Sequence, residues 1–436
     1  MTKQTSSNRI NSTWLVLLLI VLLCAASAAI GDYYAEKLKT LTVAFYTGSS
    51  WDAPSGKPYQ MIDYAIKKFH RKYPDVKIQY ETGITKKDYI NWLSGKIVSG
   101  QTPDVILVPD ENFATMASEG VLASLDRFID SDKLDTSNFY QPLLSSDRYL
   151  GAQYALPYEA NPQLMIYNQS LLEKYGLPSK LSKPTVDEFE AISTQLSKVK
   201  GKKLYGTTSD FNWYNAAAAY QDEPFNISDR RINLTSSRFS KAIKLMQQLY
   251  ANAGNMNVTS DLFDEGKVAF EPIYLAQYRT YTSYPYHVTR SYNFQVDCCQ
   301  MPSLKGSSST SIEISSWGIA NSSANKRMAW QFIQMLCSDQ ELQQKLMASS
   351  TGSSVLKSVV QSRATAKVLH QYGSDSQNLT NWQLDNLLKS GKLAPRFKEY
   401  TEVVNLLNSR LNTALQNGDV DTELYDIQTD VNNLLK

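Results

Sequence analysis

The sequence is poor in the residues that do chemistry. Its three histidines, His70, His287 and His370, are scattered over 436 residues in unrelated surroundings. No HExxH, GxSxG, GxxxxGK[ST] or GxGxxG pattern occurs, so the usual zinc, triad-hydrolase and phosphate-loop signatures are excluded and no metal or cofactor is implied. Cysteine is scarce as well. Beyond Cys24 there are only Cys298, Cys299 and Cys337, an odd number with two adjacent, so there is no disulfide framework. One bridge, from Cys337 to either neighbour or within the adjacent pair, is the most that can form. An excess of charge of one sign is also missing. The 44 basic and 42 acidic residues leave a formal +2, which shows neither a nucleic-acid footprint nor an acidic solvating tail. A chain of this length exceeds one ordinary core, and at about 150 residues per domain it predicts two or three.

Aromatic residues are plentiful, with 27 Tyr and 7 Trp. Rings that carry a polar edge suit a surface that stacks on sugars, although core and loop roles account for most of them. At the N-terminus, Lys3 and Arg9 precede an apolar run from Trp14 to Cys24, extended by small residues to Ile30. Residues 1–31 therefore read as a signal peptide or membrane anchor outside the fold. Three fates compete. Cys24 after Val21-Leu22-Leu23 is a lipidation candidate, though Leu precedes it where a small residue is expected. Ala26-Ser27-Ala28 offers a cleavage site, and residues 14–30 just reach the roughly 17–25 needed for a spanning helix. Each fate leaves the remainder outside the plasma membrane.

The chain then alternates. Thr40 to Tyr46 reads as a strand, followed by a helical stripe through Ile62, Ile66, Phe69 and Tyr73 that Pro74 stops. Val76 to Tyr80 is a second strand, and Tyr89, Trp92, Leu93 and Ile97 mark a second helix. The run Val105 to Val108, bounded by Asp104 and Pro109, suits a strand buried on both faces. This is a doubly wound start with right-handed crossovers. Asp110 and Glu111 stand where that strand ends, and in open α/β sheets ligands bind beyond the carboxyl ends of strands. Trp213 and Tyr214 fall in a loop after a strand at 204–207. Arg238 to Ala251 is amphipathic, and two further helical patterns occupy 395–436.

The order of several motifs resembles the family 1 extracellular solute-binding proteins, the sugar-capturing components of ABC importers. Those motifs are the 103–130 segment PDVILVPDENFATMASEGVLASLDRFID, Leu156-Pro157-Tyr158, Ile166-Tyr167-Asn168 with Gly176-Leu177-Pro178, Pro184 to Phe189, Phe263 to Glu271, and Trp317-Gly318-Ile319-Ala320. The resemblance implies an α/β, two-lobed, periplasmic-binding-protein-like fold of type II. Each lobe would be a mainly parallel sheet flanked by helices, and crossing strands would form a hinge. Lobe one would comprise 32–155 and 315–390, lobe two 156–314, with 391–436 packed on lobe two. It implies a monomer outside the cytoplasm, tethered through its N-terminal segment, that hands a carbohydrate to an ABC permease without altering it and binds no nucleic acid. A secreted carbohydrate-active hydrolase and a tethered sugar sensor are the alternatives.

A sugar site needs ionised carboxylates as acceptors and aromatic faces for the C–H surface of the ring. The candidates are Ser49, Trp51, Asp110, Glu111, Glu159, Trp213, Tyr214, Glu271, Tyr274 and Trp317. Each has a plainer reading. Asp110 or Glu111 could satisfy free donors at a helix start, and Trp317 could be hinge core. Trp213, Tyr214 and Tyr274 could be ordinary packing. The cluster Tyr274, Tyr278, Tyr281, Tyr284 and Tyr286 could be a solvated amphipathic segment.

Overall fold

The computed structural model describes residues 19–25, 27, 40–51, 59–226, 229–281, 293–370, 379–397, 399–417 and 420–435. Tyr284, Tyr286, His287 and most of the N-terminal segment lie outside them. Among the described residues, no helix is long and apolar enough to cross a membrane.

Strand β1 (Thr40–Ala44) pairs in parallel with β2 (Lys77–Gln79) and β3 (Val105–Val108), with helices Gln60–Lys72 and Lys86–Val98 making the crossovers. Every residue of β3 is buried, as its uninterrupted apolar run requires. Asp104 fixes the entry to β3 by accepting from Thr42 N at 2.8 Å, Thr42 Oγ1 at 2.7 Å and Ser323 Oγ at 2.5 Å. At the other end, the Tyr89 hydroxyl lies 2.9 Å from the Leu107 carbonyl and 3.1 Å from that of Ala44, holding two strand ends together.

A small hairpin, β4 (Arg148–Tyr149) and β5 (Ala152–Gln153), leads into β6 (Ala155–Asn168). All 14 residues of β6 are buried, and at ~3.3 Å per residue the strand spans about 45 Å. One strand of that length serves two groups of neighbours. After it come β7 (Tyr205–Thr207), the hairpin β8 (Phe225–Asn226) and β9 (Arg231–Ile232), β10 (Val268–Tyr274), β11 (Val296–Cys299), β12 (Thr310–Ile319), β13 (Ser353–Ser354) and β14 (Gly391–Lys392). The first half of β6 pairs with β12 and the second half with β10 and β11, all antiparallel. The order is β2-β1-β3-β12-β6-β10-β7. Parallel pairing thus sits toward the two edges, and the antiparallel centre is where β6 and β12 pass from one group to the other.

Helices cover this sheet in separate cores. The first core joins β1 and β3 to helix Lys326–Ser338 through residues such as Phe69, Trp330 and Phe332. A second packs helix Val186–Ser197 on the far half of β6 and on β10. The third sets helices Tyr400–Asn417 and Val420–Leu434 against Trp213, Phe239 and Ile243. A capping box starts helix Val186–Ser197: the Thr185 hydroxyl accepts from Glu188 N at 3.1 Å, and the Glu188 carboxylate accepts from Thr185 N at 2.7 Å.

Two local expectations fail. Trp213 and Tyr214 are not in a loop but open the helix Trp213–Ala219, because Asn212 accepts from Asn215 N at 3.1 Å as a cap and a run of alanines follows. Tyr278 is not solvated but buried within helix Leu275–Tyr281. The cysteines are all free, and burial pushes the Cys298 thiol up to about 12.

Candidate ligand-binding cleft

Strands β1, β3, β6, β10 and β12 deliver their ends or mid-points to one cleft, which the Ser49-Ser50-Trp51 turn divides into two chambers sharing Tyr46 and Ser50. Chamber one encloses ≈ 300 Å³ between Ser49, Tyr158, Glu159, Trp317 and the loop Ser349–Thr351. Chamber two encloses ≈ 470 Å³ and collects Trp51, Lys86, Asp110, Glu111, Asn161, Tyr274 and Glu313. Both volumes fall in the range of small-molecule sites.

Chamber one is built around a buried carboxylate. Glu159 is 4 % exposed in the middle of β6, and its Oε1 accepts from Ser350 Oγ and from Gly352 N at 3.1 Å. The Trp51 indole N–H faces the same carboxylate without reaching good hydrogen-bond geometry. Behind the loop lies Arg279, 1 % exposed, which donates to the carbonyls of Gly352 at 2.5 Å and Met347 at 2.9 Å. Burial raises the pKa of Glu159, while Ser350, Trp51, the Gly352 N–H and the Arg279 charge act against that rise. Trp317, flanked edge-on by Phe45 and Tyr158, has a buried indole N–H with no partner among the described residues. An unmet buried donor costs about 1–3 kcal/mol until something accepts from it.

Chamber two is larger and more acidic. Asn161 holds it together: its Oδ1 accepts from Ala276 N at 2.9 Å, at the start of helix Leu275–Tyr281, and its Nδ2 donates to Glu313 Oε2 at 2.9 Å. Asn161 and Glu313 face each other across the β6–β12 ladder. Asp110 and Glu111 open a short 3-10 turn after β3 and cap nothing with their side chains. Asp110 instead pairs with Arg396, whose other nitrogen donates to Asp147 Oδ1 and to Ser146 O, both at 2.9 Å. Asp110 and Asp147 hold the guanidinium pKa above its ordinary value against the opposing effect of burial, and the guanidinium also lies over the Phe113 ring at 4.9 Å. Glu111 stays exposed on the chamber rim.

The structure thus brings Ser49, Trp51, Asp110, Glu111, Glu159, Tyr274 and Trp317 together. It places three other candidates elsewhere. Trp213 is 4 % exposed in the third core and donates to Asn408 Oδ1 at 2.7 Å, because the amphipathic C-terminal helices need its apolar face. Tyr214 lines a third cavity. Glu271 is buried inside β10 opposite Ile166, three residues short of the cleft that Tyr274 reaches. Sequence reasoning missed Tyr46, Lys86, Asn161, Glu313 and Arg396. Strand alternation holds the signal for two of these: Asn161 stands two residues after Glu159 on β6, and Glu313 four residues before Trp317 on β12, so each shares its partner's face. Cys24, the lipidation candidate, is exposed on the short helical stretch 19–25.

Comparison with known proteins agrees with this architecture. The cyclic alpha-maltosyl-1,6-maltose binding protein of Arthrobacter globiformis superimposes with a TM-score of 0.76 at 18% identity, covering 91% of this chain and 99% of that one. The sugar-binding protein MalE of Xanthomonas citri does so with a TM-score of 0.74 at 17% identity, covering 91% and 97%. These likenesses establish the two-lobed type II periplasmic-binding fold. In sequence, the maltotriose-binding protein of Pyrococcus abyssi is 28% identical over 171 residues, 39% of this chain and 35% of that protein. The galactooligosaccharide-binding protein of Bacillus subtilis is 26% identical over 227 residues, 47% and 50% of the two chains. The chain therefore spans between a third and a half of the length of these curated relatives. The model of the bacterial extracellular solute-binding proteins matches residues 64–372, well over half of the sequence, and the chain belongs to that family.

Proposed function

We propose that this protein captures a carbohydrate in the two-chamber cleft, outside the cytoplasm, and hands it unaltered to an ABC permease. The observation that carries this reading is the wall of chamber two, where Glu111, Glu313 and Asn161 stand among the rings of Tyr46, Trp51 and Tyr274. Carboxylates accept from sugar hydroxyls, the amide both donates and accepts, and the rings take the apolar faces of the sugar. The sugar-binding names of the relatives support the ligand class.

Lobe one, 32–155 with 315–390, and lobe two, 156–314 with the C-terminal helices, rotate about the β6–β12 crossing. Ligand contacts from both sides favour the closed form, and the permease reads that form. The protein acts as a monomer held at the outer membrane face by its N-terminal segment. Hydrolysis is disfavoured because the family to which the chain belongs is one of solute-binding proteins; of the cleft acids, Arg396 occupies Asp110, and Ser350 with Gly352 occupies Glu159.

Thermal-shift screening against mono- and oligosaccharides tests the reading. A ligand at 100 times its Kd adds about 2.7 kcal/mol, and small-angle scattering with that ligand should record compaction. A broad glycan panel that neither raises the Tm nor compacts the protein would sink the proposal. So would release of reducing sugar on incubation.

A further inference from the structure

The two chambers differ in how they are charged. Chamber two holds Lys86 and three acids, whereas the wall of chamber one contains Glu159 and, among the described residues, no Asp, Lys, Arg, His or second Glu. The rest of that wall is hydroxyl or apolar, with Ser49 and Ser349 beside Phe45, Leu107, Leu346 and Trp317. Its other ionisable groups are the Tyr46 and Tyr158 phenols, and phenols keep their protons below about pH 9. Every element packed on the acid is neutral but one. Trp51 faces it from the turn, Ser350 and Gly352 from the loop, and the ladders set it opposite Ser315 on β12 and Ser354 on β13. The cation whose charge reaches it, Arg279, lies behind the loop and donates to the Gly352 and Met347 carbonyls.

Glu159 is 4 % exposed and lines this chamber, so a guest that fills the ≈ 300 Å³ takes the place of the water that meets the carboxylate. Loss of that water penalises the charged form and spares the neutral acid, and burial already raises this pKa. We propose that carbohydrate capture in chamber one takes up one proton from solvent at Glu159, so that the complex holds a carboxylic acid where the free protein holds a carboxylate. This rests on the carbohydrate reading above and makes the same site sensitive to acidity. The proton joins one carboxylate oxygen and no other covalent bond changes, while Oε1 still accepts from Ser350 and Gly352. By linkage, affinity falls by up to about tenfold per pH unit between the free and the bound pKa, and is level on either side.

Titration calorimetry of the full-length protein with maltotriose and with a linear galacto-oligosaccharide, from pH 4 to 8 in buffers of different ionisation enthalpy, counts the protons taken up per ligand. The wild type should approach one proton per ligand in part of that range, with affinity falling as pH rises over the same interval. Glu159→Gln, which keeps an acceptor and has no proton to gain, should bind without uptake and with an affinity level in pH. Wild-type binding with no proton exchange overturns the proposal. Proton release does so too, since it means that a ligand hydroxyl donates to the carboxylate. Uptake that survives in Glu159→Gln assigns the proton to another group and has the same consequence. Each of these results leaves the carbohydrate reading standing, whereas no binding of either sugar at any pH removes both. The wild-type titrations decide the matter alone should the variant not fold.

Discussion

At the end of β3, Asp110 is half-buried and pinned by Arg396, whereas Glu111, one residue further on, is exposed on the rim of chamber two. The same contrast recurs across the cleft. Glu159 is sealed under Ser350 and Gly352, while Glu313 is exposed and linked to the cleft through Asn161. In each pair one acid holds segments of the chain together and the other meets solvent where a ligand would sit. Being an acid near a strand end is therefore not enough to identify a binding residue. For both structural acids a distant segment arrives to bond the carboxylate, 350–352 at Glu159 and Arg396 at Asp110.

Breaking the structural member of each pair should damage the fold, and the largest effect is expected at Arg396. Asp147 is fully buried beside it, and an uncompensated buried charge costs about 3–5 kcal/mol. Arg396→Met should lose stability of that order in urea denaturation, and adding Asp147→Asn should recover much of it. An Arg396→Met protein as stable as the wild type would mean that the pairing at Asp110 and Asp147 holds nothing together.

Next in size is Glu159. Glu159→Ala removes the acceptor for Ser350 Oγ and Gly352 N and should cost about 1–3 kcal/mol by the same measurement. Glu111→Ala should fall within about 0.5 kcal/mol of wild type in stability. It should instead weaken carbohydrate binding about tenfold or more, and calorimetry would detect the loss. Equal stability losses in the two variants would erase the distinction between the sealed and the exposed acid. Gly352→Ala probes the same knot from the other side. A Cβ there would collide with the Glu159 carboxylate and the Trp51 indole, so the loop must move, and chamber one should bind more weakly than its stability loss alone explains.

The sequence carries the fold more fully than the site, for a physical reason. Strands such as Val105–Val108, the Thr185–Glu188 cap and the amphipathic stripe of Ser237–Asn252 depend on neighbours a few residues away, so their patterns are local. The cleft depends on meetings across the chain. Arg396 reaches Asp110 over 286 positions, and no spacing rule announces that. Trp213 misled because a loop ring and a core ring look alike until the helices at 400–434 arrive to cover it. Asn161 and Glu313 were recoverable, since period-two alternation from Glu159 and Trp317 leads to both.

The smallest effect is one of pH, and it sharpens the contrast between sealed and exposed acids. Burial raises the Glu159 pKa above the ordinary carboxylate range, so the folded chain holds this proton more tightly than the unfolded chain does. Its contribution to stability is therefore complete below the unfolded value, about 4.3, and is lost as pH rises through the folded value. Other groups titrate in the same experiment: burial also raises Asp147 and Asp297, while Arg327 holds Asp132 down at about 2. The difference between wild type and Glu159→Gln cancels those shared terms, because Gln keeps an acceptor for Ser350 and Gly352 but has no proton to lose. Denaturation midpoints from pH 4 to 8 should show the variant gaining on the wild type as pH rises, by on the order of 1 kcal/mol for every pH unit that separates the unfolded from the folded pKa. If the Glu159 difference curve is flat, the buried carboxylate is ionised at no cost, and the groups around it stabilise its charge as fully as water does.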